Sequence, residues 1–350
     1  MTHKLDLAVA LSRISFLSCG QKIELLNNLD NLSMLALLSI EDLKKLSGKN
    51  LDSSQWNPEI LVKRVKRDLA LMAQYGIGIV TVLDEDFPAL LREINQVPFA
   101  LYYRGNIGCL KKPCVAVVGT RHPDTEGLKA AFNFSKELAE RGATVVSGLA
   151  MGVDAAAHKG ALACDMDAGF RSGGSVAGGS FSCGCAGAAN FSENEKIGAT
   201  AAFLGSGIDV IYPAANKALA GRILRTGGCI LSEYPLETPA LAFHFPERNR
   251  LISGVSSSVV VIEALEKSGS LITVEFALDQ NRDVFFNSVA RDYAKMFKSD
   301  QKSLSSNRKK SSSRVIRGIE DYIAEGAVIT DSVDLVLESG KYLYQNEFSF

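Results

Sequence analysis

Three segments of the sequence combine an apolar strand, a glycine turn or polar loop, and an amphipathic helix. They begin with Val115-Ala-Val-Val-Gly-Thr-Arg121, Thr144-Val-Val-Ser-Gly-Leu-Ala-Met-Gly-Val-Asp154 and Phe245-Pro-Glu-Arg-Asn-Arg250. In an open α/β sheet, turns of this kind lie along one edge, where backbone N–H groups and helix N-termini point at a shared anion site. The chemistry that these residues indicate is phosphate binding.

The first turn, Gly119-Thr120-Arg121, lacks the glycines of a dinucleotide-binding strand, because no G-x-G-x-x-G follows. The second strand ends in Ser147-Gly148, where a nicotinamide-binding fold carries an acidic residue for the ribose hydroxyls. A dehydrogenase is therefore disfavoured. We expect Arg121 to hold a phosphate with its planar guanidinium, the alternative being a surface ion pair.

The turn after the second strand predicts ligand contact by Ser147 and Gly148, since glycine allows close backbone approach and the serine hydroxyl can donate. Asp154 is expected to cap the following helix or orient its loop. His158 lies four residues later on the same helix face, which favours a structural Asp154–His158 pair. No nucleophile stands at a recognised spacing, so we predict no catalytic residue.

The third segment places Phe245 beside Arg248 and Arg250. An aromatic ring that stacks on bases, combined with cations that contact phosphates, is how proteins hold single strands. The alternative is a buried ring with arginines in salt bridges.

Two further loops belong to the same predicted edge. Lys267-Ser268-Gly269-Ser270 precedes a helix and offers another N-terminal anion site. The loop from Gly205 to Asn216 contains Tyr212-Pro, and Asn216 could cap its helix or contact a ligand.

Composition limits the class of protein. The chain has 350 residues, 47% of them hydrophobic, enough for a large folded core. With 38 basic and 39 acidic residues the net charge is -1, so nucleic-acid affinity needs a local basic patch. Seven scattered cysteines, no leader pattern and no long apolar run predict a reduced cytoplasmic protein with no membrane association.

Apolar strands alternate with amphipathic helices after residue 113, which predicts a Rossmann-like, mostly parallel sheet with helices on both faces. The strands are expected at 115–118, 144–147, 200–204, 229–232, 259–262 and 283–286. The helices are expected at 128–141, 154–163, 216–226, 247–253 and 270–280.

We expect three regions: a helical module at 1–75, an extension at 76–112 and the Rossmann-like domain at 113–345. The helical module resembles a SAM or helix-hairpin-helix unit, a DNA-binding motif; its other interpretation is packing against the main domain. Residues 39–42 predict a capping box for a short helix that stops at Gly48.

Two segments interrupt the domain. Residues 165–198 are rich in glycine, serine and alanine, which predicts a flexible insertion. Its Cys183-x-Cys185 lacks a second ligand pair, so no metal is expected. Residues 298–317 form a basic, serine-rich tract, which we expect to be a second flexible insertion able to contact phosphate.

The order of these motifs resembles the bacterial DNA-processing protein A (DprA, or Smf) family. The motifs are G-T-R, S-G-L-A-x-G-V-D-x-x-A-H, G-x-G-I-D-x-x-Y-P-x-x-N, S-E-Y-P, F-P-x-R-N-R and S-G-S-L-I-T, within about 76–340. The resemblance implies a homodimer that binds single-stranded DNA without base specificity and no cofactor. It also implies protection of incoming DNA and loading of the RecA recombinase in natural transformation, that is, in competence and DNA recombination.

The resemblance also implies residue roles. Arg121 would hold a backbone phosphate, Phe245 would stack on a base, and the Ser147-Gly148 turn with Arg248 would line the pocket. The expected DNA-contacting residues are Gly119, Thr120, Arg121, Ser147, Gly148, Phe245, Arg248, Asn249, Arg250, Lys267, Ser268, Gly269 and Ser270.

Two departures reduce the expected pocket charge. Relatives carry basic residues near the positions of Met151 and Ala242, so His244 or residues 298–317 would have to compensate.

The alternative class is a nucleotide-binding enzyme of the phosphoribohydrolase, lysine-decarboxylase-like type. Its P-G-G-x-G-T-x-x-E motif is not matched by Ser268-Gly-Ser-Leu-Ile-Thr-Val-Glu275, which lacks the central glycines. A third interpretation is a module that senses free nucleotides or serves purely as a recombinase adaptor.

Overall fold

The computed structural model describes residues 4–163, 200–265, 268–290 and 317–345. The strands of these residues are β1 Gly78–Thr81, β2 Ala100–Gly105, β3 Cys114–Val118, β4 Thr144–Ser147, β5 Thr200–Phe203, β6 Cys229–Ser232, β7 Ser258–Val261, β8 Asp283–Phe286 and β9 Val328–Ile329. The helices are α1 Leu5–Ser12, α2 Cys19–Asn28, α3 Leu32–Ala36, α4 Ile40–Ser47, α5 Pro58–Tyr75, α6 Thr125–Glu140, α7 Val153–Ala161, α8 Lys217–Arg225, α9 His244–Val255, α10 Gly269–Asp279, α11 Ile319–Ala324 and α12 Val333–Gln345.

The strands form one sheet in the order β1-β2-β6-β5-β4-β3-β7-β8-β9. All neighbours from β6 to β9 pair in parallel, whereas β2 runs antiparallel to both β1 and β6. The predicted mostly parallel, Rossmann-like sheet is confirmed. The chain proceeds outward from β3 to β6 and then returns to place β7 beside β3. This reversal creates a switch point at the carboxyl ends of β3 and β7, where ligands bind in open α/β sheets.

Alternation along the strands creates an apolar layer on each face of the sheet. On β3, Ala116 and Val118 belong to one layer, and Val115 and Val117 belong to the other. All five β3 residues are buried, as expected for a strand covered on both faces.

The N-terminal helices α1 to α5 pack onto the sheet rather than standing apart. Their leucines share one apolar cluster with residues of β2, β5 and β6. Arg13 forms an ion pair with Asp68 and also donates to the carbonyl of Leu236, while Ser12 Oγ lies 2.6 Å from the Tyr102 hydroxyl. Packing against the main domain is therefore observed; a helix-hairpin-helix role for this region stays a prediction.

The capping box of α4 is confirmed. Ser39 and Asp42 exchange their side-chain and backbone hydrogen bonds, and Gly48 ends the helix in the left-handed region at φ 63°. The divisions at 75/76 and 112/113 stay predictions. The two predicted insertions, at 165–198 and 298–317, lie outside the described residues except for Arg317.

Within the described ranges, no helix is long and apolar enough to cross a membrane.

Candidate functional site

A cavity of about 400 Å³ opens at the switch point, beyond the carboxyl ends of β3 and β7. The predicted residues that line it come from the turn after β3 and from the starts of α9 and α10. They are Gly119, Thr120, Arg121, Phe245, Arg248, Asn249, Ser268, Gly269 and Ser270. The motifs that the sequence analysis singled out therefore do meet at one place.

Three helices begin beside this cavity: α7, α9 and α10. Their N-cap residues are Gly152, Phe243 and Ser268, and none of these side chains caps its helix. The first N–H groups of a helix lack intrahelical partners, and the helix dipole adds positive potential there. The cavity is thus suited to an anion with several oxygen atoms.

The turn that carries Arg121 is held from two sides. Thr120 N–H donates to the carbonyl of Glu263 over 2.8 Å, and the carbonyl of Thr120 accepts from Val153 N over 3.2 Å. Gly152 has φ 78°, and a Cβ there would lie 2.5 Å from the Thr120 oxygen. Only glycine suits this position, because the start of α7 packs directly on the turn.

Arg121 is exposed and extends over the half-buried Phe245, with 5.5 Å between its Cζ and the ring centroid. This distance is within the range of a cation–π contact. In the described part of the chain, no acidic side chain forms an ion pair with Arg121. Because Arg121 also lines the cavity, its guanidinium is available there to a phosphate.

Arg248 lines the cavity, but it is a buried brace. Only 4% exposed, it donates from Nη1 to the carbonyls of Gly148 and Phe203, at the ends of β4 and β5, and from Nε to Asn249. Burial lowers the pKa of Arg248 to about 10, and the nearby charge of Asp154 acts in the opposite direction. Its hydrogen bonds stabilise the floor of the site.

Ser147 corrects one expectation. Its side chain is fully buried, and Oγ donates to the carbonyl of Val117 over 2.8 Å instead of facing the cavity. Its hydroxyl is satisfied by a backbone carbonyl of the adjacent strand β3, and Ser147 is not part of the cavity lining. Gly148 is also absent from the cavity lining. It is buried against Arg248, because a Cβ at residue 148 would lie 2.5 Å from the guanidinium.

Asp154 orients the loop before α7. Its Oδ2 accepts from Gly148 N at 3.1 Å and from Ala150 N at 3.2 Å. Burial raises the pKa of Asp154, while the positive charge of Arg248 works against that shift. The predicted loop-orienting role is therefore observed.

The expected Asp154–His158 pair is wrong. His158 is fully buried, and its Nδ1 lies 2.7 Å from Thr200 Oγ1. Thr200 donates its own proton to the carbonyl of Val145, so Nδ1 carries the hydrogen that it gives to Thr200. Asp154 is engaged by the backbone on the other side of the turn.

Arg250 and His244 do not line the cavity. Arg250 Nη2 forms a salt bridge with Glu233 at 2.5 Å, and its side chain is 11% exposed. For Arg250 the salt-bridge alternative holds, because its guanidinium is paired with Glu233 and the residue is not part of the cavity lining. His244 is 6% exposed and stacks on Tyr234 with 4.0 Å between ring centroids, so it does not supply the missing pocket charge.

The edge of the cavity near α10 is formed by Ser268, Gly269 and Ser270, and Asn249 Nδ2 joins the two helices by donating to the carbonyl of Gly269 over 3.1 Å. Lys267 lies outside the described residues. Thr273 also lines the cavity and was missed. It lies one helical turn after Gly269 and Ser270, a spacing that the sequence could have revealed.

Among the described residues, no group of histidine, cysteine and acidic side chains is arranged to hold a metal ion. The Cys183-x-Cys185 pair lies outside them.

The fold and the cavity define a Rossmann-like protein with a candidate ligand site built from strand-to-helix turns. The model of the family described as DNA recombination-mediator protein A matches residues 78–183 and 170–340, and the chain belongs to this family.

Known relatives agree with this assignment. The DNA processing protein DprA of Streptococcus pneumoniae is 41% identical over 206 residues, which cover 59% of this chain and 61% of that protein. The chain matches 44% to 61% of the length of three curated relatives. A crystal structure of DprA from S. pneumoniae is similar with a TM-score of 0.61 and 30% identity, covering 95% of both chains.

A structure that describes the single-stranded DNA binding mode of DNA processing protein A from Helicobacter pylori shares the fold. Its TM-score is 0.53 at 21% identity, covering 78% of this chain and 98% of that one.

Proposed function

We propose that this protein binds single-stranded DNA without base specificity, in the cavity that Arg121 and Phe245 border. The observation that carries the proposal is the position of an exposed guanidinium, without an ion-pair partner among the residues that the structure describes, 5.5 Å from an accessible aromatic ring. A phosphate and a base of one strand need these two groups at neighbouring positions. The three helix starts around the cavity add donors for phosphate oxygens.

The DNA-contacting residues that we propose are Gly119, Thr120, Arg121, Phe245, Asn249 and the 268–270 turn, with Arg248 as the brace beneath them. Lys267 stays in the proposal on sequence grounds alone. The wider role that we propose is protection of incoming DNA, loading of the RecA recombinase and natural transformation, by a cytoplasmic homodimer with no catalytic activity of its own. The names of the relatives support its coarser part, which is DNA processing, recombination mediation and single-stranded DNA binding. The finer part rests on the family resemblance of the sequence motifs.

The test uses fluorescence anisotropy with labelled oligothymidylate, a mixed-sequence single strand and a duplex. We expect comparable affinity for the two single strands and weaker binding to the duplex. Arg121→Ala should weaken single-strand binding by about tenfold and reduce the slope of log affinity against log salt by about 0.7, the value for one phosphate on a single strand. Arg64→Ala is the matched control, because Arg64 is an exposed arginine on α5 outside the cavity.

The enzyme alternative is tested with the same preparation. A phosphoribohydrolase would release the base from a nucleoside monophosphate, which liquid chromatography detects directly. Turnover that Arg121→Ala abolishes, together with no single-strand binding by the unmodified protein, would replace the proposed function with the enzymatic one.

A further inference from the structure

Tyr212 lies beside the proposed base-stacking ring without belonging to the cavity lining. Its side chain is 50% exposed, and its ring centroid is 5.4 Å from that of Phe245, with 41° between the two ring planes. A single half-exposed tyrosine is ordinary on a protein surface. Next to Phe245, however, the ring of Tyr212 adds a second accessible aromatic face to the proposed stacking site.

The loop that carries Tyr212 is fixed at both ends. Ser206 Oγ donates to the carbonyl of Val210 over 2.7 Å. On the other side, the buried Asn216 donates from Nδ2 to the carbonyls of Leu149 and Ala150, at 2.9 and 3.1 Å. The Asn216 bonds attach the backbone of the loop to the turn after β4, and the contact with Phe245 places the ring of Tyr212 beside the cavity. A loop backbone that is already fixed loses little conformational entropy when a ligand covers it.

We propose that Tyr212 is a second stacking surface, which takes the nucleotide next to the one that stacks on Phe245. The proposal rests on the single-strand binding proposed above. One flat base cannot lie parallel to two rings that are inclined by 41°, so the two rings suit two successive bases that are splayed apart. Stacking on an aromatic face requires no particular base, in keeping with a strand of any sequence.

The proposal also defines the class of ligand. A single nucleotide can occupy the phosphate-binding turns and Phe245 but cannot reach Tyr212 as well. A duplex keeps its bases stacked on one another and offers neither ring a free face. The site therefore selects flexible single strands of at least two nucleotides.

Phe243 is the competing candidate, because it is 58% exposed. Its ring packs edge-on against His244, with 4.5 Å between centroids, and His244 in turn stacks on Tyr234. The rings of Phe243, His244 and Tyr234 therefore pack against one another. The ring of Tyr212 instead contacts Phe245, the proposed stacking ring. The favoured path of the strand is therefore from Arg121 and Phe245 to Tyr212.

The first experiment compares ligand lengths: thymidine 5′-monophosphate, the dinucleotide and longer oligothymidylates. Tyr212→Ala should weaken binding of the longer ligands by about tenfold and leave the mononucleotide unchanged, since one stacked base is lost. Tyr212→Phe keeps the ring and should bind as the unmodified protein does. Tyr75→Ala is the matched control, a tyrosine that is 47% exposed at the end of α5.

The second experiment reads contact directly, by photocrosslinking 5-iododeoxyuridine placed at successive positions of an oligothymidylate. We expect one position to crosslink to Phe245 and its neighbour to crosslink to Tyr212, as peptide mass spectrometry would show. Crosslinks to Phe243 in place of Tyr212, or unchanged oligonucleotide affinity of Tyr212→Ala, would overturn the role of Tyr212 and leave the proposed single-strand binding intact. If the unmodified protein binds no single strand, the proposed function itself fails.

Discussion

Arg121 Cζ lies 5.5 Å from the centre of the Phe245 ring, which joins the turn after β3 to the first turn of α9. A guanidinium over an aromatic face is attracted by the ring quadrupole, so each group restricts the other. In the proposed function, Arg121 would bind a phosphate and Phe245 would stack on a base, and the two groups lie close enough together to contact one nucleotide.

The position of the Phe245 ring depends on Gly205. A Cβ at residue 205 would lie 2.9 Å from Phe245 Cδ1 and 3.3 Å from Cε1. Gly205→Ala should therefore displace the ring while keeping it present, and should weaken single-strand binding by roughly fivefold to tenfold, part of the worth of one stacked base. Anisotropy with labelled oligothymidylate measures the change, and thermal unfolding should be nearly unaffected.

Gly20→Ala provides the matched control, because Gly20 lies in helix α2 and nothing is within 4 Å of a Cβ there. This substitution should leave affinity unchanged and slightly raise stability, since alanine favours the helix. Equal affinities for the two alanine variants would show that the ring does not set the binding strength.

Arg248 is expected to act on stability rather than on phosphate binding. Arg248→Met removes the donors to the carbonyls of Gly148 and Phe203 and leaves Asp154 without its buried positive neighbour. Leaving a buried acceptor without its donor costs about 1–3 kcal/mol for each group, so we expect a large loss in urea unfolding. Arg121→Ala, at an exposed position, should by contrast lower affinity with unchanged unfolding.

A double-mutant cycle separates the charge contribution from the lost hydrogen bonds. Asp154→Asn in the Arg248→Met background removes the uncompensated carboxylate and should recover about 1–2 kcal/mol of the loss. If the two substitutions are simply additive in their effects on unfolding, Asp154 and Arg248 are not coupled through charge.

The fold was predictable because short apolar strands alternate regularly with amphipathic helices along the chain. The five residues of β3 are all apolar or small, and the glycine turn after them ends the strand where the structure ends it. Helix ends were less certain: α9 begins at His244, three residues before the predicted start. Pro246 explains the difference, since proline is accepted in the first turn of a helix and need not lie outside it.

The site was predictable as a meeting of motifs but not side chain by side chain. Which arginine faces the cavity depends on the strand order and on the rotation of α9 about its axis. Neither can be predicted from the local spacing of residues. Arg248 and Arg250 differ by only two positions, yet one braces the strand ends and the other pairs with Glu233. The sequence likewise predicts a ligand contact for the hydroxyl of Ser147. Its observed partner is the carbonyl of Val117, which belongs to a neighbouring strand and is not evident from local spacing.

Glu263 predicts a stability that depends on pH. Its carboxyl is buried at the end of β7 against the first turn of α6, where Oε2 accepts from Asp124 N over 3.3 Å. Burial, followed by the charge of Asp124, raises the pKa of Glu263 to about 7 from 4.5. The folded state therefore favours the protonated form, and its contribution is lost as the pH rises from about 4.5 through 7.

Glu263→Gln replaces the protonated carboxyl with a neutral amide of the same shape. The variant should be more stable than the unmodified protein at about pH 8 and equally stable at about pH 5, as urea unfolding at both values would show. Glu126→Gln, in the exposed ion pair with Lys129 on α6, should change little at either pH. A glutamine variant that is less stable at about pH 8 would mean that Glu263 is ionised and needed as a carboxylate.

For His158 we expect the opposite pH dependence of the folding stability, and at lower pH. The imidazole is fully buried, its Nδ1–H donates to Thr200, and Nε2 is without a hydrogen-bond partner among the described residues. Burial, together with the positive charge of Arg248, lowers the pKa of His158 to about 3 from 6.5. Below about pH 6.5 the unfolded chain binds a proton that the folded protein does not, so stability falls as the pH drops towards 3.

At about pH 4.5 this difference amounts to roughly 2–3 kcal/mol, two pH units below the unfolded value. His158→Asn keeps a donor near the position of Nδ1 but cannot bind the proton, so its unfolding free energy should decline less between about pH 7 and 4.5 than that of the unmodified protein. His122→Asn, at an exposed position, should reproduce the unmodified pH profile. Parallel profiles for the protein and His158→Asn would show that the buried imidazole takes up a proton without unfolding.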